Sequence, residues 1–318
     1  MKISKHPTKL YASAKAVITL FLSLPGSERV QHAVQRLEKL SEKDVEECLK
    51  NVMQDFGERH RNIGVIFLNH FERIAIQYGS NLSHFTAQKQ LLLGAFFTKE
   101  YSIQAAALFN PSIVPHPDQH GLKQGEKRFI MSLRATGEGH ISSIVFRTGT
   151  VDQHGNISLD PPTGYSRSLQ KRADALYDKK SIQRSAETIR GFDIKALDKL
   201  PASFTASEAK NILKTMPNSD QSVIDSIRIV EEMLDMNYEL EDSSNLPISE
   251  KVIFPTAKGE SMGMEDVRLV KFEDGGQVSY YGTYTAYDGK QIKTQLIETV
   301  DFNIFKIRAL YGSAINDK

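Results

Sequence analysis

A pair of glycines between two long β-type runs is the feature that most constrains how this chain can fold. Asp274-Gly275-Gly276 supplies residues that accept positive φ angles, as a tight hairpin turn requires. The runs on either side, MEDVRLVKF and VSYYGTYTAY, are rich in β-branched and aromatic residues. The pattern therefore predicts an antiparallel hairpin over residues 263–290 and commits this part of the chain to a β-sheet.

The first strand of the hairpin carries two adjacent carboxylates and an arginine. Because successive side chains point to opposite faces of a strand, Asp266 and Arg268 are expected on one face and Glu265 on the other. Carboxylates placed in this way cannot flank one glycosidic bond as a glycosidase pair does. One carboxylate would act alone, and Arg268 would hold it by a charge-assisted hydrogen bond or reach an anionic ligand. The alternative interpretation is a structural Asp–Arg pair beside a tyrosine-rich sheet.

A second strand-rich stretch lies between residues 105 and 160. FIMSLRA and ISSIVFRTGTV are strand-like runs joined by a glycine-containing turn, and the proline-rich NPSIVPHP precedes them. Asn110 comes before a proline, which favours extended backbone, and its amide could bind sugar hydroxyls or serve an Asn-Pro turn. Arg134 could bind a phosphate or a sugar, although a solvated arginine is the simpler interpretation of that residue alone.

Helical periodicity fills most of the remaining chain, so that the order is α, β, α, β. The first helical region spans 27–100, where Ser41 and Asp44 form an approximate capping box, and the second spans 168–237. Single helices are predicted over 86–103 and 168–192. The sequence also predicts a strand over 16–24 and a helix cap at Thr205 or Ser207.

Composition excludes several classes of function. The 318 residues carry a formal charge of +1, which gives no electrostatic case for a nucleic-acid partner. No apolar run reaches the length of a membrane span. Cys48 is the only cysteine, so no intrachain disulfide can form, and a cytoplasmic location is predicted. His116 has no partners at metal-ligand spacing, so no metal site is expected.

Four segments together resemble glycoside hydrolase family 130, namely FNPSIVPHP, FIMSLRATGEGHISSIVFRTG, GMEDVRLVKF and YYGTYTAYDG. The similarity is to the longer members, which carry a helical N-terminal extension and a helical insertion. The resemblance implies a five-bladed β-propeller with its active site at the central channel. It implies the following divisions: a mainly helical extension over 1–100, first propeller strands over 101–167, a helical insertion over 168–244 and further propeller strands over 245–318.

The resemblance also implies action on β-mannosides, mostly by inverting phosphorolysis. Inorganic phosphate then attacks the anomeric carbon and gives α-mannose 1-phosphate, although some members are inverting hydrolases. Asp266 matches the family's general acid, which is thought to relay its proton through the 3-hydroxyl of the sugar. Asn110 and Arg134 match positions that hold the sugar in the −1 subsite. The further substrate-binding candidates are Arg268, Tyr284 and Asp288.

A lone aspartate with arginines nearby suits phosphorolysis, because phosphate replaces the nucleophilic water and its base. A β-mannoside oligosaccharide and inorganic phosphate are therefore the expected partners, and no cofactor is expected. The strand-rich sequence covers about two blades, so the chain is expected to end before the propeller closes and to be inactive as it stands. A non-catalytic carbohydrate-binding remnant is the alternative. The helices are expected either to pack on the propeller or to form a homo-oligomer interface.

Overall fold

The computed structural model describes residues 7–78, 82–216, 220–242 and 244–312. Within these ranges the chain is a mixed α and β protein, as predicted. It has seven α-helices, which are α1 (Ser27–Glu38), α2 (Glu42–Phe56), α3 (Ile63–Tyr78), α4 (Ala87–Phe96), α5 (Lys179–Ala186), α6 (Ala206–Lys214) and α7 (Gln221–Met236).

The same described ranges contain sixteen strands. These are β1 (Val17–Phe21), β2 (Thr98–Ser102), β3 (Ala107–Pro115), β4 (Lys127–Thr136), β5 (Ser142–Val151), β6 (Ile157–Leu159), β7 (Arg167–Ser168), β8 (Gln170–Lys171), β9 (Leu176–Asp178), β10 (Ser203–Thr205), β11 (Tyr238–Glu241), β12 (Lys251–Ile253), β13 (Gly263–Asp274), β14 (Gln277–Tyr287), β15 (Ile292–Thr299) and β16 (Ile304–Ala309).

The largest sheet consists of two antiparallel units that meet at one point. One unit contains β3, β4, β5 and β6, and the other runs in the order β13, β14, β15, β16, β11 and β8. The two units are joined where Gly263 of β13 pairs with Ser142 of β5 in parallel, and β12 adds to the free side of β5. The predicted hairpin is confirmed, with Asp274 opposite Gln277 at its turn. The described residues form no closed barrel, so the five-bladed propeller stays a prediction.

A close approach at Gly263 joins the two units. A Cβ atom placed on this glycine would lie 2.9 Å from Cβ of Ser142, which is closer than side chains normally approach. Only a residue without a side chain lets β13 come this near to β5. The start of β13 is thereby brought beside the end of β4 and the beginning of β5.

The N-terminal region differs from its prediction after α4. The strand predicted over 16–24 is confirmed as β1, and the Ser41 capping box is formed, with the Asp44 backbone N–H donating to Ser41 Oγ at 3.2 Å. The helix predicted over 86–103 is wrong beyond Phe96. Thr98–Ser102 instead forms β2 and pairs with β1, because the β-branched and aromatic residues there gain a partner strand that local periodicity cannot reveal.

The second helical region also contains more strand than predicted. Of the helix predicted over 168–192, only Lys179–Ala186 is α-helical, and short strands precede it. Within this region β8 joins the large sheet by pairing with β11, which follows the region, so the segment is not purely helical. Thr205 caps α6 as predicted, in a capping box with Glu208.

The core of the large sheet encloses an acidic side chain. Glu260 is 0% exposed and accepts hydrogen bonds from the hydroxyls of Tyr238 and Tyr284. It also accepts from the backbone N–H groups of Thr256 and Ala257, each at 3.2 Å. Burial, reinforced by the negative charge of Glu260, raises the pKa of both tyrosines well above the ordinary value. The tyrosines therefore stay protonated and act as donors to the carboxylate.

These two tyrosines predict a loss of stability in alkali. In the unfolded chain both hydroxyls ionise above about pH 10, whereas the folded protein retains the protons to higher pH. The free energy of unfolding should therefore fall above about pH 10, by about 1.4 kcal/mol per pH unit for each tyrosine. Urea denaturation at increasing pH measures the slope. Tyr238→Phe should reduce the slope, and the exposed Tyr11 provides the control Tyr11→Phe; an unchanged slope in Tyr238→Phe would contradict the prediction.

Strand β3 ends the strand order of the large sheet, and side chains occupy part of its edge. The carbonyl oxygen of Pro111 accepts from Arg268 Nη1 at 2.6 Å, and that of Pro115 accepts from the Tyr280 hydroxyl at 2.9 Å. Neither proline has a backbone N–H to offer.

In the part of the chain that the structure describes, no helix is both long and apolar enough to cross a lipid bilayer.

Candidate active site

Two β-bulges, one in each unit of the sheet, shape the candidate site. The register of β3 shifts between Phe109 and Ser112, and that of β13 shifts between Glu265 and Arg268. A bulge inserts an extra residue and re-aims the side chains beside it. Bulges of this kind are frequent next to active sites.

Each bulge contains a residue with left-handed backbone geometry. Asn110 has φ 52° and Asp266 has φ 57°. Asparagine and aspartate adopt this region more readily than other side chains, but such geometry is uncommon for any residue other than glycine. The strain is therefore found at the two positions whose side chains meet.

Four side chains form a connected group that we call the Asp266 cluster: Asn110, Arg134, Glu265 and Asp266. Asn110 Nδ2 donates to Asp266 Oδ1 at 2.5 Å, and Arg134 Nη1 donates to the same oxygen at 3.3 Å. Arg134 Nη2 donates to Glu265 Oε1 at 2.5 Å, and Arg134 Nε donates to Ser142 Oγ at 2.9 Å. One guanidinium thus bridges two carboxylates.

The bulge in β13 overturns the expected direction of the Glu265 side chain. Glu265 was expected on the opposite face from Asp266, but both carboxylates contact Arg134 because the extra residue interrupts the alternation. Arg268 was expected to hold Asp266 or to reach an anionic ligand, and among the described residues it does not contact Asp266. Arg268 instead donates to the backbone carbonyl of Pro111 at 2.6 Å, and its guanidinium therefore binds the edge of β3.

The Asp266 cluster is open to solvent on one side. The side chain of Asp266 is 42% exposed, whereas those of Arg134 and Glu265 are 18% and 22% exposed. Both donors to Asp266 bind Oδ1, and no described residue donates a hydrogen bond to Oδ2. One oxygen is therefore fixed and the other is available to a ligand.

Tyr284 and Asp288 lie away from the Asp266 cluster. Tyr284 is 0% exposed and donates to Glu260 at 2.9 Å within the core, so the substrate-binding role predicted for it is not compatible with this position. Asp288 accepts from the backbone N–H groups of Lys290 and Gln291, and these hydrogen bonds hold its pKa below the ordinary value. It closes a turn rather than contacting Asp266.

The cleft beside Asp288 is separate from the Asp266 cluster. It has a volume of about 690 Å³ and lies between α7 and the turn that follows β14. Its walls carry basic and acidic side chains in equal number, namely Lys210, Arg228, Lys258 and Lys293 with Glu231, Glu232, Asp235 and Asp288. No group of three or more metal-ligating side chains occurs among the described residues.

Sequence reasoning missed the roles of Glu265 and Ser142. Both contact Arg134. Ser142 pairs with Gly263 where the two sheet units meet, and Glu265 lies two residues after Gly263. The signal available in the sequence was Gly263, because a glycine at the start of a strand often marks a close backbone approach. The sequence does not say which strand approaches.

Comparison with known proteins adds three weak structural likenesses. Neither a protein-family model nor a curated protein matches the chain. A candidate glycoside hydrolase from Parabacteroides distasonis and a candidate glycosidase from Bacteroides thetaiotaomicron each share 12% sequence identity with it, at a TM-score of 0.26. A candidate glycoside hydrolase from Bacteroides ovatus shares 12% identity at a TM-score of 0.25.

The matches cover 65%, 66% and 65% of this chain but only 34%, 34% and 33% of those structures, in the same order. The chain thus spans about a third of the length of the solved structures it matches. At these TM-scores the likeness does not establish a shared fold. Membership of family 130 therefore stays a prediction from the sequence.

Proposed function

We propose that this protein binds β-mannosides at the Asp266 cluster and belongs to an enzyme that cleaves them by inverting phosphorolysis. The observation that carries the proposal is the meeting of Asn110, Arg134 and Asp266. These residues come from three strands and are separated by up to 156 residues in the chain, yet two of them donate to one oxygen of the third. The same three residues are those that the sequence resemblance assigns to the general acid and the −1 subsite.

The proposed reaction uses Asp266 as its single carboxyl proton donor. In the proposed reaction, the bond between the anomeric carbon and the leaving oxygen breaks, and a phosphate oxygen forms a bond to the same carbon from the opposite face. The leaving alcohol receives the proton of Asp266 through the 3-hydroxyl of the mannosyl ring. In this proposal Oδ2 of Asp266, to which no described residue donates a hydrogen bond, is the atom that bonds to that hydroxyl.

Glu265 does not serve as a second catalytic carboxylate in this proposal. It forms an ion pair of 2.5 Å with Arg134, and its neighbour Asp266 is held by the same guanidinium. Two carboxylates that bind the same guanidinium cannot lie on opposite sides of a glycosidic bond, as the pair in an inverting hydrolase must. Phosphate as the nucleophile removes the need for a second carboxylate.

Non-catalytic binding of β-mannosides is the second candidate function, and one observation favours it. Both arginines near Asp266 are already engaged, Arg134 by two carboxylates and Arg268 by the Pro111 carbonyl. Phosphate would therefore need cations other than these two. A protein that keeps the sugar contacts but lacks the phosphate contacts would bind β-mannosides without cleaving them.

One assay separates the two candidate functions. The protein is incubated with β-1,4-mannobiose, with and without inorganic phosphate, and α-mannose 1-phosphate is measured. Phosphate-dependent release supports the phosphorylase. Saturable binding of mannobiose in calorimetry without release supports the binding function, and the absence of both contradicts the proposal that the Asp266 cluster recognises a β-mannoside.

A further inference from the structure

Arg134 has more than one way to pair with the carboxylates beside it. A guanidinium forms its strongest contact with a carboxylate in a bidentate pair, in which two N–H groups bind the two oxygens. Arg134 does not form this pair with Asp266. Its Nη1 contacts Asp266 Oδ1 at 3.3 Å, while its Nη2 contacts Glu265 Oε1 at 2.5 Å.

The shorter of these contacts indicates which carboxylate determines the position of Arg134. The contact to Glu265 is 0.8 Å shorter than the contact to Asp266, from the difference between 3.3 and 2.5 Å. Ser142, which is 0% exposed, fixes the third side of the guanidinium by accepting from Nε at 2.9 Å. The ring of Phe109 lies 5.0 Å from the guanidinium carbon and supports it from one face.

We propose that Glu265 is a positioning residue that draws Arg134 away from a bidentate pair with Asp266 and so keeps Asp266 Oδ2 free for the substrate. This inference rests on the proposed function for the role of Asp266. It assigns Glu265 a role that acts through Arg134, without contact between Glu265 and the sugar. The bulge in β13 is what makes the role available, because it brings Glu265 to the same guanidinium as Asp266.

The test compares Glu265→Gln with the wild-type protein in two measurements. The variant preserves the size of the side chain and removes its charge. In its crystal structure we expect Arg134 to turn toward Asp266 and to place one Nη atom about 3 Å from Oδ2. With β-1,4-mannobiose and phosphate we expect kcat to fall by about tenfold or more while KM changes by less than about twofold, because the acid is blocked and the sugar-binding contacts of Asn110 remain.

Glu273→Gln is the matched control for this test. Glu273 lies on the same strand, is 62% exposed and, among the described residues, pairs only with Lys271, so its substitution removes the same charge at a distance from the cluster. We expect no change in Arg134 or in kcat. If Arg134 keeps its wild-type position in Glu265→Gln, or if kcat is unchanged in that variant, the positioning role is wrong.

The two measurements also separate this inference from the proposed function. If the wild-type protein neither binds nor cleaves β-mannosides, the proposed function fails. The crystal structure of Glu265→Gln still decides whether Glu265 holds Arg134 away from Asp266. A loss of activity with an equal rise in KM and no movement of Arg134 would indicate general disruption of the site and would overturn the inference.

Discussion

For the phosphorolysis proposed above, Asp266→Asn is expected to lower the turnover of a β-mannoside by about 10²- to 10⁴-fold, the usual contribution of a positioned proton donor. An amide cannot supply the proton that the leaving alcohol needs. The fold should be preserved, because asparagine tolerates the left-handed backbone geometry of position 266 and has the same shape as aspartate. Phosphorolysis of β-1,4-mannobiose gives kcat, and thermal unfolding reports the fold.

Asp274→Asn is the control for this substitution. Asp274 is exposed at the far end of the same hairpin and lies outside the Asp266 cluster. We expect wild-type turnover in that variant. Wild-type turnover in Asp266→Asn would remove Asp266 from the role of general acid, and a large fall in the unfolding temperature would show that the residue is needed for the fold instead.

Glu260→Leu is expected to destabilise the protein by at least about 3 kcal/mol. The carboxylate accepts hydrogen bonds from two buried tyrosine hydroxyls and two backbone N–H groups. A leucine fills similar volume but leaves these donors without an acceptor, and each unsatisfied buried donor costs about 1–3 kcal/mol. The loss exceeds what is regained by no longer burying a charge. Urea denaturation at neutral pH measures the difference in the free energy of unfolding.

Tyr284→Phe is the variant with which the loss in Glu260→Leu is compared. It removes one donor and leaves the carboxylate with its other partners, so we expect a loss of about 0.5–1.5 kcal/mol. Glu260→Leu should therefore cost clearly more than Tyr284→Phe. Equal losses would mean that the other donors find new acceptors, and that Glu260 is not the centre of this buried network.

Local chemistry in the sequence was sufficient for the features that depend on neighbouring residues. The Ser41 and Thr205 caps and the turn at Gly275-Gly276 each form as predicted, because each depends on a few adjacent side chains. The strand at Thr98–Ser102 was mistaken for the end of a helix. Its identity depends on pairing with β1, about 80 residues earlier in the chain, and no local pattern records that pairing.

The candidate site was only partly predictable for the same physical reason. Asn110, Arg134 and Asp266 were selected from the sequence, and the structure brings them together. The direction of Glu265 was not predictable from alternation, because one extra residue in a strand reverses every later assignment of faces. Strict alternation does hold in β14, where it places Tyr284 in the core with Tyr280.

The occupied edge of β3 has a consequence for behaviour at high concentration. A strand at the end of a sheet usually offers a template on which a foreign chain can add, which leads to aggregation. Here Arg268 and Tyr280 already take two of the carbonyl groups, and Pro111 and Pro115 provide no N–H groups. A strand of a second molecule would find few free backbone hydrogen-bonding groups along β3, so aggregation by strand addition at this edge should be suppressed.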